Sequence, residues 1–128
     1  MRNYLYLFLF LTFVSCGINM GDRIDAENLS VYYTEGVSKN QAINFTKFWR
    51  SNGFVGEKPQ TIQLEKDKAD WILVKVIENK SYENQKLTIQ EIALLNDLER
   101  QLSSEVFQTR VEIIITNNTF RPLDKGVN

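Results

Sequence analysis

The sequence predicts a single α+β domain, a two-layer sandwich in which two helices cover one face of a four-stranded antiparallel sheet. Three observations lead to this fold class. Segments typical of strands and helices follow one another in the order β-α-β-β-α-β. The helical segments carry apolar residues at every third or fourth position. The 128 residues are a one-domain length and suffice for one modest hydrophobic core.

The first half of the domain contains one strand and one helix. Residues 29–34 alternate and are rich in β-forming side chains, which predicts a strand. Ser38 and Gln41 have the spacing of a capping box, in which each side chain bonds the backbone of the other residue. A helix is therefore expected over residues 39–51, and Asn52-Gly53 is a typical C-terminal stop.

The second half contains a hairpin, a helix and a final strand. Residues 61–65 and 71–77 predict two strands joined by a polar turn, and the second is apolar on both faces, as central strands are. Thr88 and Glu91 form a second capping box, so a helix is expected over residues 89–107. A strand is expected over residues 110–116. Residues 79–85 are expected to form a polar loop.

This order of elements is that of the ferredoxin-like, split β-α-β pattern. Right-handed crossovers in that pattern place both helices on one face of the sheet. The sequence does not determine the strand order, so other α+β sandwiches stay open as alternatives.

The N-terminus has the features of a secretory signal peptide over residues 1–15. A short basic start containing Arg2 precedes the apolar residues 4–14, and Ser15 is a small residue at the expected cleavage site. The apolar stretch is too short for an ordinary membrane-spanning helix, which needs about 20 apolar residues.

The four residues Phe13-Val14-Ser15-Cys16 resemble the lipobox of bacterial lipoproteins, although Phe13 stands where leucine is usual. The resemblance implies lipid attachment at Cys16, cleavage before it and acylation of the new amino group. Two or more acyl chains anchor a protein stably, at about 0.8 kcal/mol per buried methylene. The expected location is the bacterial cell envelope, anchored to the outer membrane, with the side left open. The alternatives are an ordinary signal peptide with a free Cys16 and an uncleaved anchor.

Residues 16–27 have no strong periodicity and are expected to tether the lipid to a domain over residues 28–128. That domain resembles small bacterial α+β domains without an assigned activity, which often occur in lipoproteins. The resemblance lies in residues 31–34 before the first helix, residues 52–54 and 61–64 after it, and Val106-Phe107 followed by Phe120. It implies an α+β fold and no activity.

The composition excludes several kinds of chemistry. The chain has no histidine, the commonest general base and imidazole ligand, and its single cysteine is Cys16. Once Cys16 is lipidated, thiol nucleophiles and thiolate zinc sites are excluded as well. The formal charge of −1 gives no reason to expect a nucleic-acid partner. We therefore expect no enzymatic activity, no metal site and no cofactor.

The hairpin turn carries three carboxylates, on Glu65, Asp67 and Asp70, which suggests calcium. Lys66 and Lys68 lie between them, and the turn lacks the glycine of calcium-binding loops. A solvated charged turn is therefore the favoured interpretation.

Strand alternation predicts a candidate partner surface on the sheet face away from the helices. The residues expected to face the helices are Val31, Ile72, Val74, Val111 and Ile113. Those then expected on the opposite face are Tyr32, Trp71, Leu73 and Ile114. A contiguous exposed apolar patch usually marks an interface, so this face is expected to bind a protein partner or a second copy. The alternative is that residues 120–123 or the loop containing Tyr82 cover it.

Three functions stay open at this point. The favoured one is a non-enzymatic envelope lipoprotein whose domain binds another protein, as an assembly accessory or an inhibitor of a periplasmic toxin. The second is a small-ligand-binding or sensor domain that uses the sheet face. The third, which the sequence disfavours, is a carboxylate-dependent hydrolase; it requires a deep pocket with two converging carboxylates.

Overall fold

The computed structural model describes residues 20–78 and 85–123, and it has a five-stranded sheet with two α-helices. The second helix continues into a π-helical turn over Ser103–Phe107. The strands are β1 (Asp22–Ala26), β2 (Leu29–Tyr33), β3 (Gln60–Lys66), β4 (Ile72–Ile77) and β5 (Val111–Thr116), and the helices are α1 (Lys39–Ser51) and α2 (Ile89–Leu102).

The expected four-stranded antiparallel, ferredoxin-like sheet is wrong, although the α+β class stands. The strands lie in the order β1-β2-β3-β4-β5, so each strand pairs with its neighbour in the chain. The pairs β1–β2 and β3–β4 are antiparallel, whereas β2–β3 and β4–β5 are parallel. The sheet is therefore mixed, and each helix connects two parallel strands that lie side by side.

One strand more than expected is present because part of the segment assigned to the tether forms β1. Its register pairs Ile24 with Val31, which places Ile24 on the helix side of the sheet. The turn into β2 has Glu27 in a left-handed conformation, with φ of 55°. With one large apolar side chain in five residues, β1 gives only a weak strand pattern.

The two helix crossovers have opposite hands. Both helices lie on the same face, since the rings of Phe45 on α1 and Phe107 after α2 are 6.1 Å apart in one core. Each crossover steps the same way across the sheet, but β2 and β4 run in opposite directions. One of the two crossovers must therefore depart from the right-handed rule on which the ferredoxin-like expectation rested.

The helices begin where the sequence predicts. Ser38 with Gln41, and Thr88 with Glu91, form the two reciprocal capping boxes. The core lies between the helices and the sheet, and the alternation that assigned strand residues to it is confirmed. Its fully buried large side chains include Leu29, Val31, Phe45, Ile62, Leu64, Ile72, Val74 and Leu102.

Candidate functional site

Three residues of the expected partner surface lie on the face away from the helices. We call this the open face; its central row runs Tyr32, Gln63, Lys75 and Ile114 across β2 to β5. Leu73 lies two residues before Lys75 in β4, on the same side of the sheet. Trp71 precedes β4, and the Arg110 guanidinium lies 3.8 Å from the centre of its ring.

The structure does not bring the four residues together as one apolar patch. Gln63 and Lys75 lie between Tyr32 and Ile114, and Lys75 forms an ion pair with Glu65 on the same face. The expected patch assumed that the strand bearing Tyr32 lies beside the strand bearing Leu73. With β3 between them, polar side chains divide the surface.

The C-terminal segment covers part of the open face, which is one of the two alternatives considered from the sequence. Phe120 is 5% exposed, and its ring meets the edge of Tyr32 with 6.2 Å between centroids. Pro122 forms a bridge with Thr116, which holds the segment beside β5. The other alternative involved Tyr82, which lies outside the described residues.

The β1 end of the open face is a small polar network. Arg23 donates a hydrogen bond to the Tyr32 hydroxyl at 3.3 Å and forms an ion pair with Asp25 at 3.1 Å. The hydrogen bond to Tyr32 and the charge of Asp25 raise the pKa of the Arg23 guanidinium above its ordinary value. The side chains of Arg23 and Asp25 are each about half exposed, so this network is part of the polar surface.

The carboxylates of the hairpin turn are engaged by the protein itself. Asp67 accepts hydrogen bonds from the backbone N–H groups of Ala69 and Trp71. Asp70 pairs with Lys66 at 3.7 Å. Among residues 20–78 and 85–123, no group of three carboxylate, histidine or cysteine side chains converges on a point where a metal ion would sit.

An apolar groove lies on the helix side of the molecule, between α2 and the sheet. Its volume is about 490 Å³. Residues from α2 and the segment before it, from the ends of β4 and β5 and from the loop after α1 form its walls. They are Phe54, Val76, Leu87, Glu91, Leu94, Leu95, Asp97, Leu98, Gln101 and Ile115.

The groove exists because α2 is packed tightly only at its C-terminal end. Leu102 is fully buried, whereas Leu95 and Leu98 of the same apolar stripe are only half-buried. Leu94 is 68% exposed and Phe54 is 41% exposed. The N-terminal half of α2 therefore keeps apolar surface that the described part of the chain does not cover.

Phe54 is held in place at the other wall of the groove. Its ring lies 4.8 Å from the ring of Trp49, and its backbone N–H donates to the Trp49 carbonyl. The Trp49 indole N–H donates in turn to Gln60 Oε1 at 3.1 Å. A buried tryptophan with a satisfied N–H fixes Phe54, so this wall of the groove is preformed.

Three polar residues occur among the groove walls. Glu91 accepts the backbone N–H of Thr88 through its carboxylate, Asp97 pairs with Arg100, and Gln101 completes the set. The ten lining residues include no hydroxyl and no thiol. The groove is therefore equipped to hold an apolar group, with acidic side chains at its edge.

The sequence reasoning did not identify the groove. The apolar spacing of α2 predicted the helix alone, and Leu94 and Phe54 had no predicted role. A signal was present, because Leu94 stands beside Leu95 and therefore projects off the stripe. An apolar residue off the core-facing stripe of a helix is one that its own domain does not bury.

Several expected features lie outside the described residues, among them Cys16, the signal peptide and the loop with Tyr82. Within the described ranges, no helix combines the length and apolar character needed to cross a bilayer.

No solved structure and no curated protein matches the chain. A family model described as an N-terminal domain matches residues 23–125. The match begins within β1 and extends past the bridge at Pro122, so it contains the open face and the groove. The chain therefore belongs to the family that this N-terminal domain model defines.

Proposed function

We propose that this protein is a non-enzymatic binding module, anchored to the membrane of the bacterial envelope through lipidated Cys16. Its binding site is the apolar groove beside α2, and its ligand is an amphipathic segment of a partner protein. The observation that carries the proposal is the exposure of Leu94 and Phe54 at a preformed groove. Apolar surface of this kind on a small domain usually marks an interface.

The position of the exposed residues favours a protein over a small molecule. A small ligand buries mainly the inner walls of a cavity, here Val76, Leu98 and Ile115. Leu94 is 68% exposed at the groove, and a small ligand bound inside the groove leaves this side chain in contact with solvent. An amphipathic helix laid along α2 covers both the groove and Leu94, as helix-in-groove partners do.

The charges at the groove suggest the character of the partner. Glu91 and Asp97 lie at the groove, but Arg100 pairs with Asp97 and the exposed Lys86 precedes the Leu87 wall, so the groove edge carries both signs of charge. Electrostatic complementarity steers association and fixes orientation more than it adds affinity. We therefore expect a partner segment with apolar residues on one face and charged residues of both signs beside them.

The decisive comparison is between two exposed apolar residues of α2. Leu94 lines the groove, whereas Ile89, 70% exposed, does not. The lipidated protein is captured from its native membrane after crosslinking, as the unaltered chain, L94S and I89S. We expect the crosslinked partner to be lost with L94S and retained with I89S. Equal recovery with both variants, or equal loss, contradicts the groove as the binding site.

The anchor is tested separately. Replacing Cys16 by serine is expected to abolish incorporation of radiolabelled palmitate and to release the protein from the membrane fraction. A Cys16→Ser variant that stays in that fraction at an unchanged processed size contradicts lipidation. The two experiments thus test the groove and the anchor independently.

A small apolar ligand is the second candidate. The volume of about 490 Å³ falls in the range of pockets that hold small molecules, about 300–1,000 Å³. In that case, mass spectrometry of the purified protein finds a stoichiometric apolar compound, which L98S loses and L94S keeps.

A further inference from the structure

We propose that the open face is held toward the bilayer and the groove is turned away from it, toward the aqueous side. This inference rests on the proposed lipid anchor at Cys16. It adds a definite orientation of the domain on the membrane, and it assigns the lipid surface to the open face. A partly buried hydrogen bond at the start of the described chain carries it.

The N-terminal end of the described chain is fixed on the open face. Gln63 projects from β3 on the side opposite its buried neighbours Ile62 and Leu64, and its Nε2 donates to the Met20 carbonyl oxygen at 3.1 Å. Gln63 is only 7% exposed. A buried amide that loses its partner is left with an unsatisfied donor, which is unfavourable, so this contact holds Met20 at the middle of the sheet.

The chain also turns sharply just before it enters β1. Gly21 has φ of 95°, and an ideal Cβ at this position lies 2.4 Å from the Tyr33 carbonyl oxygen. The backbone here thus packs directly against the end of β2. Met20 is therefore joined to β1 through a closely packed backbone at Gly21.

The distance from Met20 to the lipid is short. Three residues lie between Cys16 and Met20, so four Cα–Cα steps join them, and a fully extended chain of that length spans at most about 14 Å. Packed layers lie about 10 Å apart and a helix is about 10 Å across, so the outer side of the helices is about 15 Å beyond the sheet. Met20 lies on the other side of the sheet, so the tether cannot reach past the helices.

The open face carries little net charge to hold it against lipid. Arg23 is paired with Asp25, and Lys75 with Glu65. Anchoring by the short tether, and not attraction to anionic headgroups, thus sets the orientation. Salt screens charge attraction but leaves a covalent tether unchanged, so the orientation is expected to persist at high ionic strength.

Site-directed spin labelling tests the orientation in the lipidated protein itself. Because the only native thiol is acylated, one added cysteine gives one labelled position. Glu112→Cys places a nitroxide on the open face, and Lys47→Cys places one on the exposed side of α1. The protein is reconstituted in vesicles of phosphatidylethanolamine and phosphatidylglycerol that contain a nickel-chelating lipid as the relaxing agent.

We expect stronger relaxation by the nickel lipid at Glu112→Cys than at Lys47→Cys, at low and at high salt. Inserting a Gly-Ser linker of about ten residues between Ile18 and Asn19 adds about 33 Å of reach and is expected to abolish the difference. Equal relaxation in the short-tether protein overturns the orientation, and a difference that survives the linker overturns the tether as its cause. Failure to incorporate palmitate overturns the anchor as well, which separates the two proposals.

Discussion

The Glu99 carboxylate accepts a hydrogen bond from the backbone N–H of Ile113, with 2.7 Å between Oε2 and the nitrogen. This bond joins α2 to the outer edge of β5. Two residues further along, the Ile115 carbonyl accepts the N–H of Leu123 at 2.9 Å. A side chain and the C-terminal segment thus occupy backbone groups that an edge strand otherwise presents to other chains.

Replacing Glu99 by alanine is expected to lower the free energy of unfolding by about 1–3 kcal/mol, because the Ile113 N–H loses its partner in a half-buried position. Glu99→Gln keeps an acceptor oxygen and is expected to lose much less. Urea unfolding followed by circular dichroism measures both. The exposed Glu105→Ala serves as the control, and an equal loss in all three variants contradicts the role of the Glu99 bond.

The two ends of α2 are expected to respond differently to truncation. Leu102→Ala opens a cavity in the closed part of the core and costs about 2–5 kcal/mol. Leu94→Ala removes surface that is already two-thirds exposed, so the change stays within about 0.5 kcal/mol. Thermal and urea unfolding compare the two. A large loss with Leu94→Ala would mean that α2 is packed along its whole length.

Phe120→Ala is expected to uncover Tyr32 and to loosen the C-terminal segment. The lost burial and ring contact cost about 1–3 kcal/mol. Hydrogen exchange is expected to accelerate at Leu123, whose N–H bonds to Ile115, and to stay slow in β3. Asn118→Ala, at an exposed position in the same turn, is the control. Unchanged exchange at Leu123 indicates that the bridge at Pro122 holds the segment without Phe120.

Gly21→Ala is expected to destabilise the pairing of β1 with β2. Its Cβ would meet the Tyr33 carbonyl oxygen at 2.4 Å, and the positive φ is itself strained for alanine, at about 1–3 kcal/mol. Gly56→Ala is a matched control, because a Cβ there has no atom within 4 Å. Faster hydrogen exchange in β1 for Gly21→Ala alone is the expected result, and similar behaviour of the two variants contradicts it.

Local signals made most of the elements predictable from sequence. Ser38 with Gln41, and Thr88 with Glu91, act over three residues, so the start of each helix can be inferred without knowledge of the rest. Strand alternation likewise assigned Val31 and Val74 to the core face. These interactions depend on neighbours in the chain, which a sequence displays directly.

The strand order and β1 depend on contacts that a sequence does not display. β2 and β3 pair although about thirty residues separate them in the chain, so local sequence patterns do not reveal that they are neighbours. The expectation of two right-handed crossovers then pointed to the wrong order. Ile24 is the one large apolar residue of β1, so this segment has no clear strand alternation and was predicted to be part of the tether.

The binding groove could be inferred only in part. Leu94 is visible as an apolar residue off the stripe of α2, but its exposure depends on how far α2 stands from the sheet. Phe54 follows a helix stop and belongs to no periodic element. The four residues predicted for the open face do not form one apolar patch, for a related reason. Gln63 and Lys75 lie between them, which is evident only when the order of β3 and β4 in the sheet is known.

The strictly sequential order of the sheet has a consequence for how the chain folds. Every strand after β1 is hydrogen-bonded to the one before it, so the sheet can grow from β1 as the polypeptide lengthens, and no strand has to insert between two that are already paired. The two antiparallel pairs close over short turns, whereas the two parallel pairs close over about thirty to forty residues and are expected to form more slowly. A polypeptide delivered with its N-terminus first, whether by a ribosome or through a pore, can therefore assemble this sheet in the order of its arrival.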